Sequence, residues 1–351
     1  FLDEPGIART QQAVDHRGRD RPHTEARNDR ASFRLADVEN LHAFEQGQPL
    51  SRLVARMIDA FGEALRRAPP RLVVVQGDTA SAFAGAAAAF YAGIPVVHVE
   101  AGLRTRDPHH PFPEEMHRTA IARMASLHLA PTALARMNLL TEGVADAAIA
   151  VVGNTGQDAV RQVRGMADAA ALPPWANAAP YALVTIHRRE SARAARAIAH
   201  GIARGSLRAG IRCAVVVHPN PAVSEPLVDA LAAAPCVELL APQPFATMLA
   251  LTARARFVLT DSGGLQEEAA GLGVPALVAR AKTDRPESLA AGVAALVGHD
   301  PDTIADWFVR LALDDALHAS MARAVPVYGD GFAADRIVDH LLAFLAAPGR
   351  P

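Results

Sequence analysis

Short apolar runs rich in valine recur along this chain, each followed by a polar turn and then by a helical pattern. Leu72-Val73-Val74-Val75, Ile94-Pro95-Val96-Val97-His98-Val99, Leu127-His128-Leu129-Ala130 and Ala148-Ile149-Ala150-Val151-Val152 form a first series. A second series starts at Tyr181-Ala182-Leu183-Val184-Thr185-Ile186. It continues through Cys213-Ala214-Val215-Val216-Val217, Val237-Glu238-Leu239-Leu240, Phe257-Val258-Leu259-Thr260 and Ala276-Leu277-Val278. Runs of this length without polar alternation are strands covered on both faces, which is the condition of a parallel sheet packed by helices. Alternation of such strands with helices requires crossover connections. The expected fold class is therefore α/β, with two doubly wound halves facing a cleft. A length of 351 residues agrees with two domains at ~100–200 residues each.

The boundaries follow from changes in composition. Residues 1–35 are crowded with Arg, Asp, Glu, Gln and His, and their few apolar residues keep neither a strand nor a helix period. A solvated or poorly ordered segment is expected there. Helical spacing begins at Leu50 and runs through Leu53, Val54, Met57, Ile58, Phe61 and Leu65 until Pro69-Pro70 stops it. An Ala/Pro-rich bridge over 166–180 reads as a linker. The expected first domain is thus 36–165 and the second 181–328.

Composition excludes several function classes. The 35 basic and 37 acidic residues leave a net charge of −2, so no global basic field recruits nucleic acid. Two cysteines, Cys213 and Cys236, are too few for a disulfide framework and fit a reducing, cytoplasmic setting. No apolar run is long enough for a membrane span, and no signal peptide is expected. His109-His110 and His117 lack zinc-ligand spacing, and neither a nucleophile elbow nor a phosphate-binding P-loop occurs. Lys282 is the single lysine, which rules out lysine chemistry elsewhere in the chain.

In open α/β sheets, ligands bind beyond the carboxyl ends of the strands, and the polar residues here fall at those ends. Asp78, Glu100 and His187 each follow a strand, and Thr260-Asp261-Ser262-Gly263-Gly264 follows another, with Gln266-Glu267-Glu268 opening a helix. Glycines at a helix start let backbone amides approach an anion, so a phosphate or diphosphate is the expected guest. Each residue also has an ordinary structural reading. Asp78 could cap a helix, Glu100 could pair with Arg104, and Glu114 and Glu115 could complement a helix dipole. His187 could simply be one of several polar residues at a loop start, and His218 could merely cap a strand. Those readings weaken together, because the carboxylates, a histidine and an anion cradle all lie on ligand-side turns.

Taken in order, the motifs resemble the UDP-N-acetylglucosamine 2-epimerase family. The carriers are Gln76-Gly77-Asp78-Thr79, His98-Val99-Glu100-Ala101-Gly102-Leu103-Arg104-Thr105, Pro111-Phe112-Pro113-Glu114-Glu115 and Val152-Gly153-Asn154-Thr155. They continue with His187-Arg188-Arg189-Glu190, His218-Pro219-Asn220-Pro221, the run from Leu259 to Glu268, Arg285-Pro286-Glu287 and Tyr328-Gly329-Asp330-Gly331. The resemblance spans residues 46–345. It implies two Rossmann-like domains of glycosyltransferase-B architecture, a UDP-binding second domain, and a final helix within 329–351 packing back on the first. It further implies a cytosolic homodimer that needs neither metal nor NAD and interconverts UDP-GlcNAc and UDP-ManNAc through a 2-acetamidoglucal. By the same resemblance Asp78, Glu100 and Glu114 are the carboxylates around the sugar, and His187 assists UDP departure. Ser262, Gly263 and Gly264 cradle the diphosphate, Glu268 meets the ribose, Gln243 and Met248 line the uracil pocket, and Arg285 contacts the nucleotide.

Departures from the family pattern bear on activity. The family's opening strand, its Gly-Thr-Arg-Pro-Glu turn and a nearby lysine have no counterpart in residues 1–35, which implies an impaired enzyme and a mis-called start, a shifted frame or a truncated gene. Ser191 and Arg193 stand where Asn and Gly are usual, His117 replaces an Asn, and Gly156-Gln157 replaces an apolar pair. Two competing functions share parts of the pattern: a UDP-sugar glycosyltransferase of the same architecture, which has no need of the carboxylate set, and a non-catalytic nucleotide-sugar-binding relic.

Overall fold

Among the described residues ten strands, all in parallel register, make two separate sheets. The structure, a computed structural model, describes residues 41–43, 45, 47–168, 172–188, 191, 193–218 and 221–347. Residues 1–35, together with Arg189, Glu190, Pro219 and Asn220 of the motifs above, lie outside the described residues. The described chain divides into one unit up to Asn154 and from Phe332 onward, and a second unit from Thr155 to Gly331.

In the first unit, α1 (Leu50–Arg67) leads to β1 (Val73–Gln76), α2 (Ala80–Tyr91) and β2 (Val96–Val99). Then come α3 (Glu114–Met124), β3 (Leu127–Ala130), α4 (Ala133–Thr141) and β4 (Ile149–Val151). The sheet order is β1-β2-β3-β4. Helix α1 forms because its apolar residues fall on one stripe, and Leu53, Met57, Phe61 and Leu65 bury it against the alanine-rich α2. Small side chains along α2 allow that close approach, and Gly85 fits beside Val75 and Phe61. The opposite face of the sheet is covered by a helix from the far end of the chain, Ala333–Ala346. Its Ile337, Leu341 and Phe344 pack on Leu72, Val97, Leu127 and Leu129.

The second unit opens with α5 (Thr155–Asp168) and proceeds through β5 (Tyr181–Thr185), α6 (Ala195–Ala209), β6 (Arg212–Val216), α7 (Pro221–Leu231) and β7 (Val237–Leu240). It continues with α8 (Phe245–Arg254), β8 (Phe257–Thr260), α9 (Gly263–Leu272), β9 (Ala276–Val278), α10 (Pro286–Ala290) and β10 (Ala294–Leu296). Helices α11 (Pro301–Leu313) and α12 (Asp315–Met321) complete it, and the helix Ala333–Ala346 is α13. The chain changes unit at Asn154/Thr155, ahead of the bridge at 166–180. Helix α5 therefore belongs with the second sheet: Gln157 donates to the Glu267 carbonyl at 2.8 Å, over Gly271, where a Cβ would come within 2.3 Å of the glutamine oxygen.

The order of the second sheet is β10-β9-β8-β5-β6-β7. Successive strands run outward from β5 in one direction and from β8 in the other, so the winding reverses between these two central strands. Open α/β sheets place ligands beyond the carboxyl ends of the strands at such a switch point.

Candidate active site

At the switch between β5 and β8, Thr185 and Thr260 share a hydroxyl hydrogen bond of 2.8 Å. Asp261, fully buried, follows β8. Its carboxylate accepts the backbone N–H of His187 at 3.0 Å and of Arg188 at 2.8 Å, and lies 3.2 Å from His187 Nδ1. Arg188 Nε returns a bond of 2.9 Å to the Asp261 carbonyl. A buried carboxylate thus holds the His187 ring on its Nδ1 side. The His218 ring lies near, with centroids 6.3 Å apart.

The next turn opens α9. Ser262 caps the helix by accepting from Leu265 N–H, and Ser262 N–H is turned onto Thr260 Oγ1 at 2.9 Å. The two glycines that follow have different physical reasons. A Cβ on Gly263 would sit 2.5 Å from Arg285 Cζ, so this glycine is demanded by the protein itself. At Gly264, which is exposed, a Cβ would meet only ordinary contacts at 3.8 and 3.9 Å. The face of the helix start at Gly264 is open, as an anion bound there requires.

Arg285 is nearly buried and is spent on carboxylates: Nε on Glu267 at 2.5 Å and Nη1 on Asp284 at 2.8 Å. Asp284 also accepts from the fully buried Arg280 at 2.9 Å. Thr283 donates to Gln266 Oε1 at 3.1 Å, tying this loop to the first turn of α9, and Lys282 is exposed on it. Glu268 lies one turn into α9, and burial pushes its carboxyl up to about 7. Gln243 sits on the turn after β7 with its amide on the Ala241 carbonyl at 2.7 Å, and Met248 is half-buried on α8. Gln243 thus follows a strand two places from β5 in the sheet order, whereas Met248 packs on the cluster that holds Tyr181 and Leu183 of β5.

The first unit gathers acids. Asp78 does not cap α2; Thr79 does, accepting from Ala82 N–H at 3.2 Å. The Asp78 carboxylate instead pairs with Arg118 of α3. Arg118 also reaches Glu115 at 3.3 Å. Glu100 does not pair with Arg104, whose guanidinium makes a bidentate contact with Glu142 at 2.7 Å. Glu100 has a φ of +61°, a conformation in which a non-glycine residue stores strain. Its Oε2 comes to 3.5 Å of where a Cβ on Gly77 would stand, so Glu100 and Asp78 converge on one turn. Glu114 and Glu115 begin α3 but differ in task. Glu115 is buried and accepts the amides of Thr105 at 3.0 Å and Arg106 at 2.7 Å, closing the loop after β2. Glu114 is half-exposed beside it.

Sequence patterns alone missed Asp261, Arg118 and Glu115 as the residues that hold the site. A signal for Arg118 existed, three and four residues beyond the two glutamates on one helix face. Among the described residues no helix is long and apolar enough to cross a membrane.

A parallel sheet with its switch point at a Ser-Gly-Gly helix start, and an acid-lined turn on the other α/β unit, place the chain in the α/β class. The family model described as UDP-N-acetylglucosamine 2-epimerase matches residues 18–342. UDP-N-acetylglucosamine 2-epimerase of Escherichia coli K12 is 40% identical over 320 residues, covering 88% of this chain and 85% of the relative. A probable UDP-N-acetylglucosamine 2-epimerase of Ralstonia nicotianae is 39% identical over 331 residues, covering 90% and 88%. The crystal structure of UDP-GlcNAc 2-epimerase from Neisseria meningitidis bound to UDP-GlcNAc superposes with a TM-score of 0.87 at 32% identity, over 92% of this chain and 90% of that one. The chain belongs to the UDP-N-acetylglucosamine 2-epimerase family. The match begins at residue 18, so residues 18–35, expected to lie outside the resemblance, fall within it.

Proposed function

We propose that this chain interconverts UDP-N-acetylglucosamine and UDP-N-acetylmannosamine by eliminating and re-adding UDP. The observation that carries this reading is the Asp261–His187 pair beside the open glycine turn at the switch point. It supports a site that binds a diphosphate and stabilises it as it leaves.

A base removes the proton from C2, the C2–H electron pair becomes the C1=C2 double bond, and the C1–O pair departs with UDP. The product is 2-acetamidoglucal. Re-addition of UDP at C1 and delivery of a proton to the other face of C2 completes the inversion. Two faces require more than one acid/base group, and Asp78, Glu100 and Glu114 provide the set. His187, held by Asp261, carries positive charge or a proton toward the departing diphosphate. Gly264 and the amides of α9 hold that diphosphate, and Glu268 accepts the ribose hydroxyls. Gln243 and Met248 take the uracil. Arg285, already engaged by Glu267 and Asp284, supports the cradle through its packing on Gly263. A cytoplasmic homodimer is the proposed working form.

The test is incubation of the purified full chain with UDP-N-acetylglucosamine in deuterated water. Deuterium at C2 of both sugars, with UDP-N-acetylmannosamine as product, is the expected outcome. Sugar transfer to an acceptor without exchange at C2, or binding without turnover, refutes the proposal.

A further inference from the structure

We propose that His98 and His117 are positioning residues that lock the backbone on both sides of Asp78 and so fix the direction of its carboxylate; this rests on the reading of Asp78 as a proton-transfer group. Two peptide units flank the Asp78 Cα, and each is held through its carbonyl by an imidazole. His98, on β2, places Nε2 2.8 Å from the Gly77 carbonyl. His117, on α3, places Nδ1 3.0 Å from the Asp78 carbonyl. A carbonyl only accepts, so both ring nitrogens carry the proton. Since a peptide unit is planar, fixing the plane on each side fixes φ and ψ at the residue between them. The Cα–Cβ direction is then set, and Arg118 fixes the remaining side-chain torsions.

Both imidazoles are themselves immobilised. His98 is fully buried, and burial lowers its pKa to about 4, keeping the ring neutral. Its Nδ1 has no hydrogen-bond partner, which a neutral Nε2–H ring tolerates. His117 is almost fully buried and stacks on Phe83 of α2, with centroids 4.9 Å apart and planes within 6°. Phe83 N–H in turn donates to the Thr79 carbonyl at 3.0 Å. The clamp therefore joins β2, α2 and α3 to the two bonds that aim one carboxylate. An asparagine amide at position 117 can donate the same bond without the ring, which makes the hydrogen bond separable from the stack.

Two substitutions at one position separate positioning from packing. His117→Phe keeps an aromatic stack on Phe83 and removes the donor; His117→Asn keeps a donor and gives up most of the stack. Turnover, KM, UDP affinity by calorimetry and thermal unfolding are measured on the full chain, with Asp78→Asn as control. A misdirected reacting group costs up to ~100-fold, so His117→Phe lowers kcat ~10–100-fold with KM and UDP affinity within about twofold. His117→Asn stays within about threefold of the parent in kcat even where its melting temperature falls. A parent-like kcat in His117→Phe, or a larger kcat loss in His117→Asn than in His117→Phe, overturns the clamp. Full turnover in Asp78→Asn overturns the reading of Asp78 and the clamp with it, whereas an inactive Asp78→Asn beside an active His117→Phe overturns the clamp alone.

Discussion

In the second unit the strand-end turn after β8 offers backbone amides at the start of α9, left open at Gly264. In the first the strand-end groups are carboxylates; Arg118 of α3 pairs with Asp78, and His98 and His117 hold the backbone carbonyls beside it. An anion cradle made of amides needs little more than a tight turn and a helix start. A carboxylate that must point at one carbon needs partners on several sides, and those partners are buried polar groups whose loss is costly. One site is thus local and the other distributed, and the two respond differently to substitution.

The largest expected effect lies in the distributed site. Asp78→Asn removes a proton acceptor while keeping the shape, and kcat falls on the order of 10²–10⁴-fold with UDP binding by the second unit unchanged. Steady-state rates and calorimetry with UDP check the split. An equal fall in UDP affinity would erase the distinction between the two units.

The next effect is on stability in the loop that backs the cradle. Asp284 is fully buried between Arg280 and Arg285. Asp284→Asn leaves two buried guanidinium groups short of a charge, and breaking such a pair costs about 3–5 kcal/mol. Denaturant unfolding measures it. A loss under about 1 kcal/mol would mean that the arginines' other partners, Glu267 among them, hold them without the Asp284 charge.

A sharper use of the comparison sets two neighbouring glycines against each other. Gly263→Ala forces a Cβ into Arg285 and costs about 1–3 kcal/mol of overpacking. Gly264→Ala meets nothing closer than 3.8 Å, so the fold tolerates it, while the methyl occupies the space an anion would take. Gly264→Ala is expected to keep its melting temperature and lose about tenfold in UDP affinity. Unaltered UDP affinity in that variant would place the diphosphate elsewhere.

The local site was the legible one. Strand periodicity placed Leu127–Ala130, Val237–Leu240, Phe257–Thr260 and Ala276–Val278 as observed, and the turn after Thr260 announced itself by its glycines. Strand Ala294–Leu296 escaped because two of its three residues are alanine, which carry little strand signal. The structural readings of Asp78 as a cap and of Glu100 as Arg104's partner were undone by Thr79 and Glu142. Thr79 competes from the adjacent position, which makes cap assignment ambiguous, and Glu142 is 38 residues from Arg104, beyond the reach of any pattern. Arg118 was signalled only as a neighbour of the glutamates on its own helix; its pairing with Asp78, 40 residues away, was hidden for the same reason. What a sequence displays is what the backbone does locally; counter-charges are chosen by the fold.

The smallest expected effect concerns pH and belongs again to the local site. Burial raises the Glu268 carboxyl from 4.5 to about 7. The folded chain therefore holds a proton there that the unfolded chain has released between those values. Stability then falls as pH rises from about 4.5 through 7 and levels off above, by linkage. Glu268→Gln, which cannot ionise, flattens that slope and leaves the contribution of the other groups. In the first unit, burial lowers His98 and His128 to about 4. Their contribution has the opposite slope and lies lower: it is present above about 6.5 and is lost as pH falls toward 4. Unfolding free energies across pH 4 to 8, for the parent and Glu268→Gln, separate the two. A parent curve unchanged by the substitution would mean that Glu268 is solvated in solution, and that the cradle's carboxylate ionises as freely as one on the surface.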